Sequence, residues 1–300
     1  MDVRAGVLFA AGLIAGTITH PIAAAADTPP PPPSSESPST HIDSTTIEAS
    51  PDRAEVERRV WRFVNSIAVR PGEESLARWE NQIPVCPVVK GMAGADGEYI
   101  LSRVSKIAED AGAPLAPQNC KGNFFIVVTS DPDGVIKAWS KRDVTMFGDE
   151  TDQGGTRIHE FHSTTPVRVW PNTQIFNLDG TPLGNLEGRA NGAARATRIE
   201  INNFRALSSM IVIVDARRMK GVSFGQVAAY VAMVGLVQIH PEADVIDAPS
   251  ILNLFAQGEK APAGLTAWDA AFLKGVYRSR NTDKAQIAAI KSSMVQDVAP

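Results

Sequence analysis

The one close pair of histidines in the chain is His159-Glu160-Phe161-His162. Two imidazoles and a carboxylate could hold a divalent metal and deprotonate a water bound to it. The spacing is H-E-x-H, one residue short of the i,i+4 interval that sets two imidazoles on the same side of a helix. On a strand the two would face opposite ways; on a loop they could still share a metal. The plainer reading, two solvated histidines on a surface loop, is the one adopted, with the shared metal as its alternative. Other candidates are weaker. Asp131 and Asp133, and Asp149, Glu150 and Asp152, are acidic turn clusters without the spacing or the glycine of a calcium loop. No G-x-S-x-G, Walker A or G-x-G-x-x-G pattern occurs. The five tryptophans are scattered, a distribution that fits core packing better than a stacking platform.

A different segment is informative through what it lacks. Residues 222–239, VSFGQVAAYVAMVGLVQI, are nearly all apolar. The run could span a membrane, form the buried central helix of a globular domain, or be that helix in a peptidase-like fold. Gln226, Gln238 and the missing cationic flank argue against a span. Downstream come Ser250-Ile251-Leu252-Asn253, then Leu265-Thr266-Ala267-Trp268-Asp269, then Val276-Tyr277.

Taken in order, residues 222–277 resemble the catalytic core of metzincin-type zinc peptidases. Those carry H-E-x-x-H-x-x-G-x-x-H on a helix, then a Met-turn, then a final helix. Gly235-Leu236 is similar to the G-L pair that ends the active helix. Ser250-Ile251-Leu252 is similar to the S-I-M of the Met-turn, with Leu for Met. Leu265–Asp269 and Tyr277 are similar to the L-T-x-x-D and L-Y of the last helix. Counting from Gly235, the resemblance places the first two histidines at Ala228 and Ala232, the general base at Ala229 and the third histidine at Gln238. None of these four can do the family's chemistry. Gln226 and Tyr230, also i,i+4, could line a degenerate groove with Gln238. His240 lies two residues past the third-ligand position, and we read it as the C-terminal residue of the helix, favoured by the dipole, before Pro241. The chain is also similar to envelope proteins of Gram-negative bacteria in which a zincin-like domain is suspected.

The elements that must position these residues follow from composition and pattern. Arg4, the apolar run 5–18 and Ala24-Ala25-Ala26 read as a secretory signal over residues 1–26, cleaved before Asp27. Residues 27–50 are rich in Pro, Ser and Thr, with prolines at 29–33, and read as a disordered linker. Residues 51–300 are long enough for a single domain with a sizeable core. The formal charge of −4, without a Lys/Arg block, gives no support for nucleic-acid binding. An even cysteine count together with export predicts a disulfide between Cys86 and Cys120, stabilising by about 3–4 kcal/mol in the chain-entropy model.

Ser50-Pro51-Asp52 starts a helix with apolar positions at Val56, Val60, Phe63, Val64 and Ile67, and residues 73–80 suit a second short helix. Residues 81–90 read as an edge strand because of their prolines. Residues 98–111 read as an amphipathic helix ending at Gly112. Strands are expected at 123–130, 166–176 and 209–215, turns at 131–134 and 177–180, and a loop at 140–165. The irregular mixture predicts an α+β domain with a mixed sheet and a long buried central helix. The expectation is an exported, zincin-like, non-catalytic protein, periplasmic or secreted, with no cofactor and no transmembrane span after cleavage. Its partner would be an envelope protein or peptide; the alternatives are an active metal-dependent hydrolase using His159, His162 and His240 or acidic residues from different segments, and a plain secreted domain.

Overall fold

A computed structural model describes residues 52–68, 76–142, 165–177, 180–182, 203–240, 243–257, 260–279 and 284–299. All of them belong to the unit Ala49–Pro300. The signal, the linker and the His159/His162 pair lie outside the described residues.

Unbroken apolar runs, FFIVV in one strand and MIVIV in another, build the centre of a sheet covered on both faces. Four strands, β1 (Pro87–Lys90), β2 (Phe124–Thr129), β3 (Val167–Asn177) and β4 (Asn203–Asp215), lie in the order β1-β2-β4-β3. β1, β2 and β4 are parallel, in register Pro87↔Phe124 and Phe124↔Met210. β3 runs antiparallel to β4, from Val167↔Val214 to Asn177↔Asn203, with an irregularity between Asn172 and Thr173. Pro171, which has no N–H to donate, falls on this outer strand, and Pro87 is the first residue of β1, the other edge, with Pro84 just before it. Successive side chains point to opposite faces. Phe124, Ile126, Met210, Val212 and Val214 therefore join the main core. Phe125, Val127, Ile211 and Ile213 face the other way, against Ile136 and Trp139.

Among the described residues seven α-helices accompany the sheet in this α+β fold: α1 (Arg53–Ile67), α2 (Gly94–Ala111), α3 (Pro132–Arg142), α4 (Phe224–Gly235), α5 (Leu254–Gln257), α6 (Ala267–Arg278) and α7 (Lys284–Val298). α1 buries Val56, Val60, Phe63, Val64 and Ile67, the predicted stripe. α2 stops at Gly112, whose φ of +84° closes the helix in a conformation that disfavours a side chain. Cys86 and Cys120 are joined in a disulfide just upstream of β1 and β2, as expected from export and pairing.

The structure corrects several expectations. Residues 76–80 are extended rather than helical, because Arg78 bridges to both Ala206 and Val237. Asp131–Gly134 is the start of α3 and not a free turn: Pro132 sits in its first turn and Asp131 Oδ1 accepts from Gly134 N at 3.0 Å. α3 also takes residues 140–142 out of the expected loop. β4 begins six residues earlier than the apolar run suggested, and α7 carried no sequence expectation. The run 222–239 is not one helix. α4 covers only Phe224–Gly235, and residues 237–239 continue as extended chain bridged to Arg78 and Ala68. His240 is consequently not a helix C-terminal residue; its N–H donates to Ile67 O at 2.8 Å, and the dipole argument for it lapses. Among the described residues no helix is long and apolar enough to cross a membrane.

Candidate functional site

α4 is where the resemblance places the chemistry. Its start is set by a reciprocal cap: Ser223 Oγ accepts from Gln226 N at 3.2 Å, and Gln226 Oε1 accepts from Ser223 N at 3.0 Å. Gln226 Nε2 also donates to Pro262 O at 2.9 Å, which ties this end to the loop before α6. From Val227 to Gly235 every residue is buried. An all-apolar helix is stable in water only when surrounded on all sides, and here α2, β4 and the turn at 251–253 supply the neighbours.

The far end of α4 is equally enclosed. A Cβ on Gly235 would lie 2.0 Å from Phe124 Cζ, so the residue must be glycine for the helix to meet β2 this closely. Carbonyls at a helix C-terminus need outside donors. Trp79 Nε1 donates to Gly235 O at 2.9 Å, and the Tyr277 hydroxyl donates to Leu236 O. Burial pushes the Tyr277 phenol well above its usual range, so it remains a donor. Gln238 N donates to Ala77 O at 2.8 Å. Arg78 is held in turn by Glu80 Oε1 at 2.7 Å and by the carbonyls of Val276 and Ser279.

Below α4 lies the turn Ser250–Asn253, a 3-10 segment over Ile251–Asn253. Asp269, fully buried at the start of α6, grips it. Its Oδ1 accepts from Ser250 Oγ at 2.6 Å, and its Oδ2 accepts from Ile251 N at 2.8 Å and Thr266 N at 3.0 Å. Burial pushes this carboxyl above the usual range, and its hydrogen bonds to Ser250, Ile251 and Thr266 oppose that rise. The Thr266/Asp269 cap read from sequence is present in full. The second task of Asp269, anchoring the 250–253 turn, had no signal in sequence.

Of the four groove residues, Gln226 is half-buried at the start of α4 and Tyr230 is buried against Phe255, ring centroids 5.1 Å apart. Gln238 is buried and His240 exposed in the chain that follows. Gln226 and Tyr230 share α4, whereas Gln238 and His240 belong to the segment bound to 67–68 and 76–78. A zinc does not fit this donor set. Ala228, Ala229 and Ala232 offer only methyl groups, buried in the core, and no group of three or more His, Cys, Asp or Glu among the described residues could hold a metal.

A second arrangement, which the sequence did not reveal, lies at the N-terminal end of α4. Asp96, Tyr99 and Arg103 fall at i, i+3 and i+7, one stripe of α2. With Ser223–Gly225 and Ala263–Gly264 they line a cavity of about 600 Å³. Tyr99 and Phe224 are each 45% exposed there. Comparison with protein-family models, with curated proteins and with solved structures finds no match for the chain.

Proposed function

We propose that this chain is an exported, non-catalytic protein with a zincin-like core, serving a binding or scaffolding role in the cell envelope. The observation that carries the reading is α4 itself. The positions at which the resemblance requires two histidines and a base are Ala228, Ala232 and Ala229, all buried and without lone pairs. Three further features support it. α4 is the first α-helix after β4, a strand of the parallel group, and meets β2 through Gly235. The turn similar to a Met-turn lies against α4, anchored by Asp269. Tyr277, near the end of the final helix, reaches back to Leu236. The disulfide and the absence of a membrane-crossing helix among the described residues are compatible with secretion; the signal-like segment 1–26 points to the periplasm or beyond.

The test is metal analysis of tag-free protein recovered from the exported fraction, with a broad peptidase assay run with and without added zinc. Less than a tenth of an equivalent of metal and no activity are expected. One equivalent of zinc with activity lost in His240→Ala would overturn the reading of α4. Metal and peptidase activity that both depend on His159 and His162 would instead support the hydrolase.

A further inference from the structure

We infer that the cavity between α2 and the start of α4 binds a small zwitterion of dipeptide size, its ammonium group on Asp96 and its carboxylate on Arg103. The inference rests on the cavity alone and not on the zincin-like reading.

The argument starts from charge. Asp96 is half-buried and Arg103 exposed, both line the cavity, and neither makes an ion pair or a side-chain hydrogen bond among the described residues. Several other charged residues of α2 and α1 are paired, whereas Glu98, off the cavity, like Asp96 and Arg103 has no ion pair among the described residues. Lys106, one turn further along α2, holds Glu109 and Asp110 at 3.2 and 2.7 Å, and Glu55 and Arg58 pair on α1. Opposite charges left apart at two ends of one depression complement a ligand with both signs, also set apart.

Geometry sets the size. Seven residues of helix separate Asp96 from Arg103, about 10 Å along the axis. A single amino acid, with its charges about two bonds apart, cannot reach both without bending the long Arg103 side chain back. An extended residue advances roughly 3.3 Å, so two residues with both side chains reaching inward close the gap. Apolar walls set the body of the ligand. Tyr99 and Phe224 stand together in this cavity with nearly half their surface in water and supply its aromatic walls. Gly225 and Gly264 keep the space between them open: a Cβ on Gly225 would come within 3.6 Å of the Tyr99 hydroxyl, and one on Gly264 would meet nothing within 4 Å. The ligand therefore carries at least one apolar or aromatic side chain. A neutral sugar would use the aromatic faces but has no need of two unpaired opposite charges.

The experiment is an amide-shift NMR titration of the oxidised, exported protein with Leu-Phe, in low salt because exposed ion pairs are screened. Five arms accompany it: free phenylalanine, N-acetyl-Leu-Phe, Leu-Phe-amide, N-acetyl-Leu-Phe-amide, and a disaccharide of N-acetylglucosamine. Saturable shifts confined to residues 95–103, 223–225 and 263–264 are expected with Leu-Phe. About fivefold weaker binding is expected with either single charge capped, and weaker still with both. Asp96→Asn should remove the penalty for acetylation while keeping that for amidation, and Arg103→Gln the reverse. Glu98→Gln, on the same helix but off the cavity, should change nothing. Equal binding of the capped and free dipeptides, preference for the disaccharide, or shifts outside the cavity would each overturn the proposal, as would no saturation by 20 mM Leu-Phe.

Discussion

Replacing Asp269 tests whether the turn at 250–253 is held by one buried carboxyl. In Asp269→Ala the Ser250 hydroxyl and the Ile251 N–H, both in the interior, lose their acceptor, and Thr266 N–H loses its own at the edge. A buried donor stripped of its partner costs about 1–3 kcal/mol, and losing the Asp269 half of the capping box adds up to about 1, while Thr266 still caps the helix. Relaxation of the turn recovers part of this, so the expected loss is about 3–5 kcal/mol. Urea unfolding of the oxidised protein, read by fluorescence of Trp268 and its neighbours, gives the value. A loss below 1 kcal/mol would show that the turn is held by packing of Ile251 and Leu252 alone.

Asp269→Asn sharpens the test through pH. The amide keeps the shape of the protonated carboxyl. Burial raises the Asp269 carboxyl in the folded state above its unfolded value. A group of this kind contributes its stability fully below the unfolded pKa and loses it as pH rises towards the folded pKa. The advantage of the natural protein over Asp269→Asn should therefore shrink as pH rises from roughly 4. An advantage that grows instead would mean that the donors around the carboxyl outweigh its desolvation.

Gly235→Ala should cost about 2–4 kcal/mol in the same unfolding assay, because the new methyl meets the buried Phe124 ring; a neutral result would refute the close approach of α4 to β2. Cys86→Ser with Cys120→Ser should cost about 4 kcal/mol for a loop of 34 residues, and mass spectrometry without reductant should find no alkylatable thiol in the natural protein. Ala228→His with Ala232→His restores the i,i+4 spacing, yet both sites are buried, so the pair should lower stability by at least about 3 kcal/mol and still bind no zinc by metal analysis.

What the sequence disclosed follows the reach of its interactions. Local rules were legible: the stripe of α1, the Gly112 stop, the Thr266/Asp269 cap and the two buried strands. Each is decided by neighbours within about four residues. Segment 76–80 was misread because its backbone partners, Ala206 and Val237, are more than a hundred residues away. The run 222–239 was misread for the same reason. Val237, Gln238 and Ile239 differ little in composition from the rest, and only pairing with 67–68 and 76–78 makes them extended. Asp269 was visible as a cap but not as an anchor, since Ser250 and Ile251 reach it only through the tertiary fold. Asp96, Tyr99 and Arg103 are ordinary on a helical wheel; their meeting with Phe224 required the crossing of α2 and α4.

The enclosure of α4 also decides where chemistry can occur around it. A catalytic helix must keep polar groups beside an open position, which leaves part of its side wall unpacked. Here the side wall is filled by methyl groups, and the chain beyond Gly235 is fixed by Trp79, Tyr277 and the backbone of Ile67 and Ala77. Opening that wall would expose buried apolar surface and break bonds to several elements at once, so ligand access across α4 is energetically closed. The N-terminal end differs. Phe224 is exposed, Gly225 is bare, and the adjoining stripe of α2 carries unpaired charge of both signs. That division agrees with the proposed role, recognition without cleavage: α4 is enclosed along its side wall, and its exposed end forms part of the cavity with Asp96, Tyr99 and Arg103.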